Sequence, residues 1–347
     1  MDPSVYIPAY LERTYLASHP ELTDAARELV HNDISANPQK YAQSEHAQAL
    51  LSYAGVHRHL LDELHRIEDM GSDEEFEQTR NRLFDDMRDE LLKIVRVDAL
   101  AVDAQLLAII LADTPVDACL GDLMKLEATT ADYLQQSVPG FDMEAPHYWA
   151  NKVLTDGTTA AELTVSEPAL IGWLHTLEAI SQLCMASARY RAAANYARRV
   201  LKAEGYPTRA AGTVLLALAR LEDQDGFFAL AHQLEEQVGA DALENSPWYL
   251  LARTVLLFKT NKMRPAARAL REFANRCEGG AFFLLNPMYQ TPYLPCRPEP
   301  RDPWDLSHQA VWEADGIISD TPDFAPWANA CEDVSQLAQE FARRYGF

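Results

Sequence analysis

The feature of this sequence that most restricts its fold is a helical-hairpin pattern that recurs three times between residues 168 and 276. Apolar residues at three- and four-residue spacing predict these helix pairs: 168–186 with 190–203, 208–221 with 227–238, and 247–258 with 265–276. The residues that open the second helices, Tyr190, Phe228 and Met263, are 38 and 35 positions apart. A period of that length is typical of repeat proteins, in which each hairpin buries its apolar face against the next.

Further helices are predicted outside these three hairpins. Thr23 is a candidate N-cap, and apolar stripes over 50–67 and 76–94 predict two long helices. Asp113-Thr114-Pro115 separates helices predicted over 97–112 and 116–136. A short helix is expected around Tyr148–Leu154, and a last one over 333–344. We therefore divide the chain into an N-terminal segment (1–97), a hairpin array (98–278) and a C-terminal segment (279–347), leaving open whether 1–97 forms a separate bundle.

The hairpins resemble tetratricopeptide repeats in their residue offsets as well as in their period. Bulky residues such as Leu177 and Ile180 stand at first-helix positions, and Tyr190, Phe228, Val238 and Met263 at second-helix positions. Small residues that would let two helix backbones approach are Ser181, Ala193, Ala219, Ala231 and Ala266. Glu222 and Arg253 depart from the motif. The resemblance implies an all-α, right-handed solenoid of stacked antiparallel hairpins.

The order of segments also resembles the tetratricopeptide-like family of suppressor of tumorigenicity 7 and its bacterial relatives. The motifs that carry this resemblance are Thr114-Pro115, His147-Tyr148-Trp149, Glu167-Pro168, Ala188-Arg189-Tyr190, Asn286-Pro287-Met288-Tyr289 and Pro292-Tyr293-Leu294-Pro295. The family's Asn/Asp-rich turn is replaced here by 204–209. This resemblance implies an interaction protein rather than an enzyme.

Prolines are dense between residues 286 and 303, which excludes continuous helix there and favours extended backbone. We expect this Pro-rich segment to cap the last hairpins. The alternative is that it binds another protein.

The formal net charge of −22 argues against non-specific binding to nucleic acid. Between Arg189 and Arg276, however, the 14 Lys and Arg residues outnumber the 9 Asp and Glu residues, so this segment carries a net positive charge. The first residues lack a continuous apolar stretch, so a signal peptide is not expected there. The most apolar run (106–112) is far shorter than the roughly 20 residues of a membrane span. A cytoplasmic protein that binds neither nucleic acid nor membrane is expected.

No motif in the sequence supports an enzyme, a metal site or a cofactor. The five cysteines are widely spaced and form no Cys-x-x-Cys pair, which predicts free thiols in a reducing compartment. His57, His59, Glu63 and His65 share one predicted helix without a metal-ligand spacing, so an exposed polar face is expected. His147 is expected to be packed and hydrogen-bonded, and the acidic cluster over 68–77 to be solvated.

The leading hypothesis is a non-enzymatic scaffold that binds a protein or peptide carrying an acidic segment. Basic residues of the hairpins are the candidate partner-binding residues, because the arginine fork donates two hydrogen bonds to one carboxylate. They are Arg198, Arg199, Lys202, Lys262, Arg264, Arg268 and Arg271. The alternatives are a self-associating structural subunit and an enzyme with an unrecognised site in the acidic N-terminal half. The sequence leaves the oligomeric state open.

Overall fold

The computed structural model describes residues 1–67, 72–154, 157–290 and 301–347, and throughout these ranges the regular structure is helical, without a strand. The predicted all-α class is confirmed. The chain forms two compact units, Met1–Ala179 with Lys202–Pro207 (unit 1) and Ile180–Leu201 with Thr208–Phe347 (unit 2). The predicted segment 98–278 contributes residues to both units.

Unit 1 contains seven helices and the first part of an eighth within its described residues. They are α1 (Pro3–Ser18), α2 (Asp24–Ala36), α3 (Glu45–Ile67), α4 (Asp73–Val97), α5 (Val102–Ile110), α6 (Val116–Ser137), α7 (Ala160–Val165) and α8 (Pro168–Ala186). Helices adjacent in sequence pack together from α3 to α6, and α1 packs against α2, α3 and α7. Thr23 caps α2, as predicted, by accepting a hydrogen bond from the Ala26 amide. The core includes the fully buried Leu60, Leu91 and Leu123.

Unit 2 begins within α8 and holds the remaining helices. They are α9 (Tyr190–Val200), α10 (Ala210–Arg220), α11 (Gln224–Val238), α12 (Ala240–Glu244), α13 (Pro247–Lys259), α14 (Met263–Arg276), α15 (Gly280–Leu285), α16 (Asp305–Glu313), α17 (Asp315–Ser319), α18 (Phe324–Asn329) and α19 (Glu332–Tyr345). Helix α10 packs against α9 and α13, and α13 packs against α14 and α16. The C-terminal helix α19, predicted over 333–344, packs against α14, α15 and α18.

The first helix of each predicted hairpin ends in the same turn. The second residue after the end of α8, α10 and α13 adopts a left-handed conformation: these residues are Ala188 (φ 59°), Glu222 (φ 61°) and Asn261 (φ 57°). The amide of the next residue donates back to a carbonyl five positions earlier, with N···O distances of 2.7, 3.0 and 2.9 Å. This is the Schellman arrangement that terminates a helix. The second helix begins two residues after each left-handed residue, at positions 190, 224 and 263, which are 34 and 39 residues apart.

The predicted register of the second helices was partly wrong. Helix α11 begins at Gln224, before the predicted start, because the Asp223 carboxylate caps it by accepting a hydrogen bond from the Gly226 amide. Phe227 is consequently buried and Phe228 is 45% exposed, since neighbouring helical residues point about 100° apart. Val238 and Met263, also expected to pack inward, are 57% and 37% exposed.

Two other boundaries differ from the sequence prediction. Helix α4 continues through Val97, and α5 begins only at Val102. In the turn between them, the Asp98 carboxylate accepts a hydrogen bond from the Leu100 amide. The helix expected around Tyr148–Leu154 is a series of turns, in which the Asp142 amide donates to the Tyr148 carbonyl. Tyr148 packs instead in an aromatic cluster, with ring centroids 5.2 Å from Phe141 and 5.4 Å from Trp173.

The Pro-rich segment is described only at its two ends. Pro287–Tyr289 forms a short 3₁₀ helix, and the rings of Tyr289 and Phe282 lie 5.2 Å apart. Residues 291–300 lie outside the described ranges, so the predicted cap stays a prediction. Among the helices described, none combines the length and the apolar character that a bilayer crossing requires.

Candidate functional site

Helix α14 carries three of the seven predicted partner-binding residues, Arg264, Arg268 and Arg271, and Lys262 immediately precedes it. Lys262 donates a hydrogen bond to Gln224, and Arg271 forms an ion pair with Asp333 on α19. Arg264 and Arg268 lie one turn apart, are exposed, and have no hydrogen-bonding or ionic partner in the described part of the chain. These two arginines, like the exposed Arg198 of α9, are therefore available to an external anion.

The other three predicted residues lie at the end of α9 and just after it. Arg198 is exposed, and Arg199 lies over the Tyr196 ring at 5.6 Å. Lys202 belongs to unit 1, whereas the other six residues belong to unit 2. Its amino group donates to the Met143 carbonyl (2.6 Å) and lies 5.7 Å from the centre of the Tyr148 ring. Lys202 is thus committed to contacts within unit 1, which its charge alone did not indicate.

A buried carboxylate on α16 joins the first helices of the second and third hairpins. Glu313 is 8% exposed. One of its oxygens accepts a hydrogen bond from the Thr213 hydroxyl on α10, and the other accepts one from the Trp248 indole nitrogen on α13 at 2.7 Å. No motif in the sequence assigned a role to Glu313, and these contacts make it a point of attachment for α16.

One turn earlier on α16, Gln309 makes a parallel contact. Its side-chain oxygen accepts a hydrogen bond from the guanidinium of Arg209, which precedes α10 and lies 5.7 Å from the centre of the Trp248 ring. Gln309 and Glu313 are four residues apart and therefore share a helix face. That face of α16 meets three donors held by α10 and α13.

A second attachment in unit 2 involves Tyr190, the first residue of α9. Its hydroxyl donates to the Asp320 carboxylate at 2.7 Å, and the Arg220 guanidinium lies 5.2 Å from the centre of its ring. Burial, followed by the hydrogen bond to Asp320, raises the pKa of Tyr190 to about 12. The neutral phenol is therefore the form that stabilises this contact.

Unit 1 contains a buried polar cluster centred on Asp103. The carboxylate of Asp103 accepts a hydrogen bond from the Tyr6 hydroxyl (2.6 Å) and lies 2.8 Å from Nδ1 of His175. Burial favours the neutral acid, but the charge of His175 and the hydrogen bonds from His175 and Tyr6 outweigh it. They hold the pKa of Asp103 below its ordinary value. The cluster joins α1, α5 and α8 within the unit.

Two histidines of unit 1 differ from the sequence expectations. His57 was expected on an exposed polar face but is 6% exposed, and burial lowers its pKa. His147 was expected to be packed, but its side chain is 53% exposed and lies 3.5 Å from Glu204. His59 is exposed, as predicted.

The geometry around His175 favours a structural role for the cluster. Its Nδ1 contacts Asp103, and its Nε2 lies 2.6 Å from the amino nitrogen of Met1, so both ring nitrogens face polar partners. Across the residues that the structure describes, no group of three or more His, Cys, Asp and Glu side chains is arranged to hold a metal ion. Glu68 and Asp69 of the acidic cluster lie outside these residues.

Comparison with known proteins returns no relative. No family model matches the chain, no curated protein matches it, and no solved structure matches it. The resemblances to tetratricopeptide repeats and to the suppressor of tumorigenicity 7 family therefore stay predictions from the sequence.

Proposed function

We propose that this chain is a non-enzymatic, protein-binding scaffold of stacked helical hairpins, and that α14 presents a basic surface to an acidic segment of a partner protein. The observation that carries the proposal is the pair Arg264 and Arg268, exposed one turn apart and unpaired within the described residues. On a chain with a net charge of −22, two unpaired arginines form a local reversal of sign that attracts carboxylates.

The repeated turn supports the scaffold part of the proposal. In all three hairpins the first helix ends in a turn with a residue in the left-handed conformation, as expected of copies of one repeat unit. Repeat units of this kind bury their apolar faces by stacking. We infer a right-handed solenoid with the Pro-rich segment as its cap. The four described cysteines are free thiols, which fits a reducing compartment, and we place the protein in the cytoplasm.

The proposal is tested by reversing the charge at Arg264. Arg264 is the second residue of α14, where a glutamate also suits the positive end of the helix dipole, so Arg264→Glu is expected to leave the fold intact. Arg191→Glu is a matched control, because Arg191 is the exposed second residue of α9. Wild type, both single variants and Arg264→Glu/Arg268→Glu are immobilised and used to capture proteins from a lysate of the source cell at low and at physiological salt.

Proteins captured by wild type and by Arg191→Glu, but lost with Arg264→Glu and lost further in the double variant, would support the basic surface. Their retention is expected to fall as salt rises, because exposed charges are screened over about 10 Å at 0.1 M salt. Capture of the same proteins by all four forms would refute the assignment of α14.

A further inference from the structure

The exposed face of α14 carries a third arginine in line with the two unpaired ones. Arg264, Arg268 and Arg271 stand at positions i, i+4 and i+7 of the helix, and all three are exposed. Residues at this spacing share one helix face, and the buried residues of α14 lie on the opposite side. The three residues therefore form an arginine stripe that extends over two turns, about 10 Å along the helix.

The third arginine of the stripe is held by an acid of the same unit. Arg271 forms an ion pair with Asp333, the second residue of α19, and α14 and α19 pack against each other within unit 2. The hydrogen bond from Arg271 lowers the pKa of Asp333, so this carboxyl group is ionised at neutral pH. The chain thus presents to its own arginine the same group that an acidic partner would present.

This ion pair can be exchanged for a contact with another carboxylate without a change in the fold. The side chains of Arg271 and Asp333 are 47% and 51% exposed. Water screens an exposed ion pair, which is weak for that reason. When Arg271 turns to another carboxylate, Asp333 stays in contact with water, so no charge is buried without a partner.

The spacing of the stripe favours a helical partner. Its intervals of four and three residues correspond to about 6 Å and about 4.5 Å along the helix axis. A second helix with acids at i, i+4 and i+7 has the same two intervals, whereas an extended chain places side chains on one face only about every 6.8 Å. An acidic helix therefore matches all three arginines by charge and by spacing.

We propose that the arginine stripe binds an acidic helix of a partner protein through all three arginines, and that Asp333 is a built-in competitor for the third. In the free chain Asp333 occupies Arg271, and in the complex a carboxylate of the partner replaces it. This inference rests on the function proposed for α14. It adds a role for Arg271, the helical form of the partner segment, and a residue that lowers the affinity.

The test uses an alanine-rich helical peptide with three glutamates at i, i+4 and i+7 and a neutral dye. Its binding to the full-length chain at low salt is followed by fluorescence anisotropy. Asp333→Asn is expected to bind the peptide about threefold more tightly than wild type, because the loss of a weak competing ion pair frees Arg271. Glu340→Gln is the matched control, since Glu340 is exposed two turns further along α19 and has no ionic partner in the described part of the chain. It should bind like wild type.

Arg271→Ala and Arg271→Ala/Asp333→Asn should bind the peptide equally, because the gain from Asp333→Asn passes through Arg271. Equal affinity of wild type and Asp333→Asn, or an equal gain in Glu340→Gln, would overturn the role of Asp333. The function proposed for α14 would still stand if Arg264→Glu/Arg268→Glu lost the peptide. Equal binding of a peptide with glutamates at i, i+2 and i+5, which lie on different helix faces, would overturn the helical partner. Failure of every form to bind either peptide would refute both proposals.

Discussion

At the scale of single residues, Tyr190 gives the clearest dependence on pH. Its pKa is about 12 in the folded chain, and an unfolded tyrosine titrates near 10. The folded state therefore holds the phenolic proton more tightly. The resulting stabilisation is complete below pH 10 and is lost as pH rises from 10 through 12.

We expect Tyr190→Phe to unfold at a lower urea concentration than wild type at pH 8. Its free energy of unfolding should be about 1 kcal/mol lower, because the hydrogen bond to Asp320 is missing. As the pH is raised towards 11, wild type begins to lose the contribution that the variant lacks. The difference in free energy of unfolding should therefore narrow. A difference that stays constant or widens would contradict the assigned pKa.

The structural polar residues that could not be identified from the sequence are buried acids with distant partners. Asp103 lies between Val102 and Ala104 at the start of an apolar helix, and Glu313 lies in a similarly apolar context. An acid on an apolar face is a signal that the sequence does contain, because a buried carboxylate needs hydrogen bonds. This signal does not identify the partner of the acid, since Thr213 is 100 positions from Glu313.

At the scale of elements, a glycine substitution is expected to stabilise the protein at a left-handed turn residue and to destabilise it inside a helix. Ala188 is exposed and has φ 59°, a conformation that costs alanine about 1 kcal/mol and glycine little. We expect Ala188→Gly to raise the free energy of unfolding by about 0.5–1 kcal/mol. Ala192→Gly, inside α9, should lower it by about 1 kcal/mol, because glycine disfavours a helix interior.

Both variants are compared with wild type by urea denaturation at one pH. Destabilisation of similar size by the two glycines would mean that Ala188 is not held in the left-handed conformation in solution.

The helices of the hairpins were largely predictable because their signals are local. The spans of α8, α13 and α14 follow from apolar spacing, the prolines at 168 and 247, and the chain reversals between the helices. The start of helix α11 was misplaced because Asp223 was not recognised as its cap, and Phe228 rather than Phe227 was assigned to the packed face. The short helices α12 and α15 to α18 were missed, since five to nine residues give too few turns for a periodic pattern.

At the scale of the whole molecule, the net charge of −22 predicts a response to salt. Charges of one sign repel each other in the compact state, and added salt screens that repulsion within about 10 Å at 0.1 M. We expect the midpoint of thermal unfolding to rise by a few degrees when sodium chloride is raised from low to physiological concentration. An uncharged solute at equal osmolality is the control, and a midpoint that falls with salt would show that ion pairs outweigh the repulsion.

The division of the chain into two units is the part of the architecture that the sequence did not indicate. The repeat pattern continues smoothly through α8, yet the boundary between the units falls inside that helix, after Ala179. Likewise, α16 meets α10 and α13 through residues about 65 to 100 positions away. Such assignments depend on which distant surfaces meet, and periodicity along the chain carries no information about that.

The polar contacts of α1 also set an order of events during synthesis. Tyr6 bonds to Asp103, Arg13 pairs with Glu167 at 2.9 Å, and Asp103 pairs with His175. A ribosome adds about 5–20 residues per second, so α1 emerges roughly ten seconds or more before the last of these partners. The hydrogen bonds that hold α1 to α5 and α8 can therefore form only after α8 has been synthesised, so the polar attachment of α1 is completed long after the helix itself is made.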